Sequence, residues 1–92
     1  MGIIWDPDKE RKLLAERDID VWEVAGMIVS GDYLAILENP SRPSQQLFVV
    51  RYHEYTHVVP FVIDEDENII LKTVFPSRRF HQFYGESHES ET

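Results

Sequence analysis

Residues 68–84, NIILKTVFPSRRFHQFY, leave the chain few ways to finish its fold. Residues 68–75 are rich in Ile, Leu, Val and Phe and read as a strand, with Lys72 alone in its middle. Pro76 has no N–H to give a ladder and stops that strand. Ser77 can then cap a short helix over residues 78–84. Arg78 and Arg79 are thereby fixed at the exit of a sheet. A lysine inside an apolar strand and two arginines at its end make a cation cluster on rigid elements. Taken alone, Lys72 reads equally well as an edge-strand lysine reaching for water.

The rest of the chain supplies two helices and three more strands. Asp6-Pro7-Asp8 is a helix start, with Asp6 as N-cap, Pro7 in the first helical position and Asp8 in the first turn. That helix runs to about Arg17 and buries only a narrow stripe around Leu13 and Leu14. Asp20 and Glu23 imitate a capping box, and Ile19 and Val24 stand at the staple positions. The second helix spans residues 21 to about 30, with Trp22, Ala25, Ile28 and Val29 at the 3.6 period and Gly31 just past its end. Ile3 to Trp5 is an apolar lead-in. Strands follow at 33–39, 46–52 and 55–63, before the one at 68–75. Two helices, four consecutive strands and a last helix predict an α+β fold, in which the two N-terminal helices pack on a four-stranded antiparallel meander. With 92 residues, residues 1–85 form one domain and residues 86–92 a polar tail without expected structure.

Register decides which side chains share a face. A two-residue turn at His53-Glu54 puts Tyr52 opposite Tyr55 and Val50 opposite His57. A loop over residues 64–68 puts Ile63 opposite Ile69. One face then gathers Phe48, Val50, Tyr52, Tyr55, His57, Val59, Phe61, Ile63, Ile69, Leu71, Thr73 and Phe75, and belongs under the helices. The other gathers Leu47, Val49, Arg51, Thr56, Val58, Pro60, Ile70, Lys72 and Val74, with the terminal helix across its rim. A slip of one residue would part Arg51 from Lys72.

Composition limits the chemistry. There is no cysteine, which removes disulfides and thiolate metal sites. The four histidines show no metal-binding helix spacing, and the acidic loop DEDEN lacks the glycine and closing glutamate of a calcium loop. No GxSxG, GxGxxG or Walker lysine loop occurs, so no cofactor and no metal is expected. His57, on the aromatic face, reads as a hydrogen-bonded core histidine. No apolar run approaches membrane-spanning length and no signal peptide is visible, so a cytoplasmic location is the default. The net charge of −8 is awkward for a nucleic-acid binder, which must then carry a local cationic patch. Arg51, Lys72 and Arg78, with Tyr84 nearby, supply one suited to phosphate. Such a set can promote attack of an RNA 2′-hydroxyl on the adjacent phosphate without metal: arginines neutralise the phosphate, and a lysine or tyrosine beside other cations moves the proton.

The order of elements, with WDPDKERKLL near the start and LKTVFPSRRFHQFYGE at the end, resembles the BrnT-type ribonuclease toxins of RelE-like type II toxin–antitoxin systems. Trp5, Asp6 and Lys9 match their W-[DE]-x-x-K opening. Residues 19–24 match a hydrophobic and acidic helix start. Pro76-Ser77-Arg78-Arg79 matches loosely an S-A-R-[RK] segment after the last strand, and Tyr84 matches a closing tyrosine. Pro76-Ser77 replaces the common Ser-Ala, and the terminal helix is shorter and less basic than usual. The resemblance implies a metal-independent endoribonuclease acting on mRNA and silenced by a cognate antitoxin, with self-association left open. Arg51 and Arg78 would bind the phosphate, Lys72 and Tyr84 would handle charge and proton transfer, and Arg42, Arg79 and His81 would be auxiliary RNA contacts. The competing expectation is a non-catalytic module that binds an acidic protein partner through the basic sheet face.

Overall fold

The structure, a computed structural model, describes residues 2–86. Helix α1 (Pro7–Arg17) starts as its residues dictate: the Asp6 carboxylate accepts the N–H of Asp8, and Pro7 occupies the first turn. It ends at Asp18, which takes the left-handed conformation that Asp tolerates better than most residues. Helix α2 (Val21–Val29) is capped by Asp20, whose carboxylate accepts the N–H of Trp22. The return half of a capping box is absent. The N–H of Asp20 is taken instead by the Tyr52 hydroxyl at 2.9 Å, which ties the helix start to the sheet, while Glu23 turns to His53. At the other end Gly31, with φ 76°, closes a Schellman motif: its N–H reaches Ile28 O, and that of Asp32 reaches Met27 O.

The sheet is larger than a four-stranded meander and is mixed. Strands β1 (Ile3–Ile4), β2 (Ala35–Glu38), β3 (Gln46–Tyr52), β4 (Tyr55–Ile63) and β5 (Ile69–Leu71) lie in the order β1-β5-β4-β3-β2, and β6 (Phe75–Pro76) also pairs with β4. The antiparallel core β2–β3–β4–β5 keeps the expected register, with Val50 opposite His57, Tyr52 opposite Tyr55, and Ile63 opposite Ile69. The apolar lead-in proves to be β1, parallel to β5 and locked there by Gly2 N–H on Asn68 Oδ1 and Ile69 N–H on Gly2 O. The strand expected over 68–75 is broken in two. Leu71 sits opposite Phe61 and Phe75 opposite Val58, so four steps on one side face three on the other. The extra residue is a bulge and inverts the alternation beyond it. Val74, expected on the second face, is buried in the helix-side core, and Phe75 shares the opposite face with Val58. The terminal helix is likewise split, into one helical turn, α3 (Arg78–Phe80), capped by Ser77 Oγ, and a π-helical stretch, His81–Glu86. Of the expected polar tail, residues 87–92 lie outside the described residues.

Helices α1 and α2 cover one face, where Leu13, Ile19, Val21, Val24, Ala25 and Ile28 meet Phe48, Val50, Tyr52, Val59, Phe61, Leu71 and Val74. The buried stripe of α2 is Val21–Val24–Ala25–Ile28, not one that includes Trp22 and Val29, which are exposed. The last segment packs against β4, over a face where Val49, Thr56 and Val58 are buried. The β3–β4 turn carries positive φ at both His53 and Glu54 (50° and 65°), the type I′ pattern that favours Asn-Gly. Replacing Glu54 with glycine removes the left-handed strain at the cost of unfolded-state entropy. It should raise stability by about 0.5–1 kcal/mol, measured by chemical denaturation.

Candidate functional site

Of the two cations expected on the sheet, Arg51 lies at the end to which the terminal segment returns. Arg51 of β3 lies opposite Thr56 of β4 on the face away from α1 and α2, and is exposed. The Thr56 backbone points to the other side of β4, where β6 has just ended. Its C=O accepts the N–H of Ser77 at 3.0 Å. Its N–H donates to Nδ1 of His81 at 3.2 Å, and its hydroxyl lies 3.1 Å from the same nitrogen. The imidazole stacks on Tyr55 with ring centroids 4.1 Å apart. Ser77 and His81 thus continue the ladder along an edge that β6 leaves unpaired. They seat Arg78 and Arg79, both exposed, beside the Arg51–Thr56 pair. With Nδ1 accepting from an amide, the His81 proton resides on Nε2. In that tautomer the ring offers its Nε2–H to an anion.

The other expected site residues are spread more widely. Lys72 is exposed, and its N–H bonds to Pro60 O, four residues along β4 from Thr56. Alternation puts it on the Arg51 side of the sheet, but roughly 13 Å farther along the strand direction. Tyr84 is half-buried beside Phe80 and Phe83, three residues beyond His81. Arg42 sits in the β2–β3 turn, beyond Gln46, which is itself roughly 17 Å along β3 from Arg51. The structure therefore brings the backbones of Arg51, Arg78, Arg79 and His81 to one end of the sheet, with Tyr84 following, and puts Lys72 well along the strand and Arg42 at the far end. A cation missed in the sequence is Arg17. Its guanidinium reaches the Val74 carbonyl at 3.3 Å and borders a cleft of about 490 Å³ with Thr73, Phe75 and Pro76, directly before Ser77. Nothing in the spacing joins residue 17 to residue 74. Only a helix C-terminus, where basic residues are favoured, could have hinted at it.

The acidic loop lies at one end of β4. The strand's first residues adjoin the arginine group, whereas Asp64, Glu65, Asp66 and Glu67 follow its last. Nine strand residues put the two ends roughly 26 Å apart, several Debye lengths at physiological salt. At the arginine end, acids stand at the turn and on the helix side: Glu54 in the turn, Glu23 paired with His53, and Asp20 beside Tyr52.

His57 is buried, and its Nδ1 donates to Tyr55 O at 2.9 Å. Burial lowers its pKa below the ordinary 6.5. Unfolded chains then take up this proton first. The stabilisation is full above the unfolded pKa and is lost as pH falls toward the folded one. His57→Gln, which keeps a donor but cannot titrate, should flatten the decline in stability below about pH 6.5, read from denaturation at a series of pH values. Among the described residues no three His, Asp or Glu side chains converge as a metal-binding group, and no helix is long and apolar enough to cross a membrane.

Together these elements define a small α+β fold with a cationic end. Neither a protein-family model nor a curated protein sequence matches the chain. Among solved structures, it is similar to the crystal structure of the Brucella abortus ribonuclease toxin BrnT, with a TM-score of 0.64 and 17% identity over 84% of this chain and 96% of that one. The resemblance read from the two terminal segments thus holds at the level of the fold.

Proposed function

We propose that the chain is the toxin of a type II toxin–antitoxin pair, an endoribonuclease that cuts mRNA without a metal ion. The observation that carries the reading is the gathering of Arg51, Arg78, Arg79 and His81 around Thr56, with the acidic loop at the far end of β4. This local patch is what an acidic chain needs to hold RNA. The likeness to a ribonuclease toxin supports it from the side of the fold. In the proposed reaction the RNA 2′-hydroxyl loses its proton, its oxygen bonds to the adjacent phosphorus, and the bond to the 5′-oxygen breaks as that oxygen gains a proton. The products are a 2′,3′-cyclic phosphate and a 5′-hydroxyl. Arg51 and Arg78 hold the phosphate and neutralise its growing charge, and His81 adds the Nε2 hydrogen bond. Tyr84, three residues beyond His81, serves a proton transfer, whereas Lys72, roughly 13 Å along the strand, meets the flanking RNA backbone. Arg79 steers the flanking backbone, and Arg42 can touch only distant RNA.

Purified protein should cut RNA in EDTA, and its induced expression should arrest growth unless the antitoxin is co-expressed. Intact RNA, together with saturable binding of an acidic peptide at the Arg51–Arg78 face, would assign that face to protein binding instead.

A further inference from the structure

Helices α1 and α2 leave part of the sheet face they pack on uncovered. Facing that part, α2 presents a second stripe, Trp22, Gly26 and Val29, spaced i, i+4, i+7. Trp22 is 67% exposed and Val29 75%. A Cβ added at Gly26 would meet nothing within 4 Å among the described residues. This stripe and Ile36, Phe61 and Ile63 of the sheet line one groove of about 770 Å³, and among the described residues no charged one lines it. The site assembled around Thr56 has no use for any of them.

Acids mark one end of the groove. Glu38 pairs with Gln46 in the same alternation as Ile36 with Phe48, so it stands on the groove side. The loop of Asp64, Glu65, Asp66 and Glu67 follows Ile63 at that end. Asp64 is fixed there by the N–H groups of Asp66 and Asn68 and by the Asn68 amide, which also holds Gly2. Against these stands Arg42, in the β2–β3 turn. We infer that the groove binds an amphipathic helix of a partner protein, whose apolar stripe lies between α2 and the sheet and whose lysines or arginines meet the acidic rim. The gap at Gly26 admits the close approach of a second helix, and the rim selects its charge. A second copy of the chain fits poorly, because each copy carries −8 and the two rims would repel. The inference stands apart from RNA cleavage and is read without RNA.

Both tryptophans of the chain line this groove, so intrinsic fluorescence reports its occupancy. The probe is a synthetic helical peptide of about 18 residues, roughly 27 Å long, with a leucine stripe flanked by lysines. A twin peptide carries glutamates in their place. The lysine peptide should shift tryptophan emission to the blue and bind at least about ten-fold more tightly than the glutamate twin. Gly26→Leu should weaken it by a similar factor without lowering the unfolding midpoint. Val29→Glu gives a second test at a position already open to water. Equal affinity for the two peptides, or binding indifferent to both substitutions, overturns the inference. So does a concentration-dependent dimer, seen by sedimentation, that gives the blue shift without peptide.

Discussion

Arg78→Ala should lower the rate of RNA cleavage by about 10²–10³ or more while changing stability by less than about 0.5 kcal/mol. The two effects separate because of where Arg78 sits. It occupies the first position of α3 and is exposed. The elements that hold the backbone there do not involve its side chain: Ser77 Oγ caps Phe80, Ser77 N–H bonds to Thr56 O, and the His81 ring is seated on Thr56. A guanidinium can give two parallel hydrogen bonds to a phosphate whose charge grows in the transition state, and alanine gives none. Lysine keeps the charge but loses the fork, so Arg78→Lys should recover only part of the rate. Initial rates on one RNA, with circular dichroism melts of the three proteins, check this. Equal rates for wild type and Arg78→Ala would mean a contaminant or another site.

Phe61→Ala should cost roughly 3–5 kcal/mol. Phe61 is 3% exposed, lies opposite Leu71 in β5, and stacks on Phe48 with ring centroids 4.2 Å apart. Removing the ring leaves a void between sheet and helices that packed neighbours cannot fully close. The loss is a large fraction of the 5–15 kcal/mol that holds a typical domain together. Trp22→Ala removes a larger ring, but an exposed one resting edge-on against Trp5. Its cost should stay below about 1 kcal/mol. Urea titrations of the two variants should therefore differ severalfold in their effect. A loss below about 1 kcal/mol at Phe61 would mean that it does not lie in the core.

The parts of the fold that a sequence can show are those written in consecutive residues. Asp6-Pro7 and Asp20 mark the helix starts because capping is local. The His53-Glu54 turn fixes the β3–β4 pairing, and with it the faces of Phe48, Val50 and Phe61, because a two-residue turn admits one register. What escaped the sequence depends on distant partners. Two residues, Ile3 and Ile4, are too few to show alternation, and they are a strand only because the edge of β5 is there to pair with. The bulge between Leu71 and Phe75 leaves no periodic trace, since Val74 and Phe75 are equally apolar; only pairing with Val58 reveals it. Trp22 and Val29 obey the helical period yet face a groove, because the stripe Val21–Val24–Ala25–Ile28 already fills the contact with the sheet. The same holds for the candidate site. Residue types pointed to Arg51 and Arg78, but the span to Lys72 and the role of Thr56 as anchor for His81 are matters of pairing. The distance along β4 between the arginines and the acidic loop is visible only once the strand is laid out.

The chemistry of the cut ends is the measurement to make first. RNA labelled at its 3′-end is incubated with the protein in EDTA, and the 5′-ends of the fragments are tested for phosphorylation by a kinase without prior phosphatase. Attack by the 2′-hydroxyl predicts 5′-hydroxyl ends that label at once, 2′,3′-cyclic phosphate on the upstream fragment, and no cleavage of a 2′-deoxy strand of the same sequence. Cleavage that needs a divalent ion and leaves 5′-phosphate ends, or that proceeds on the deoxy strand, would contradict the proposed reaction.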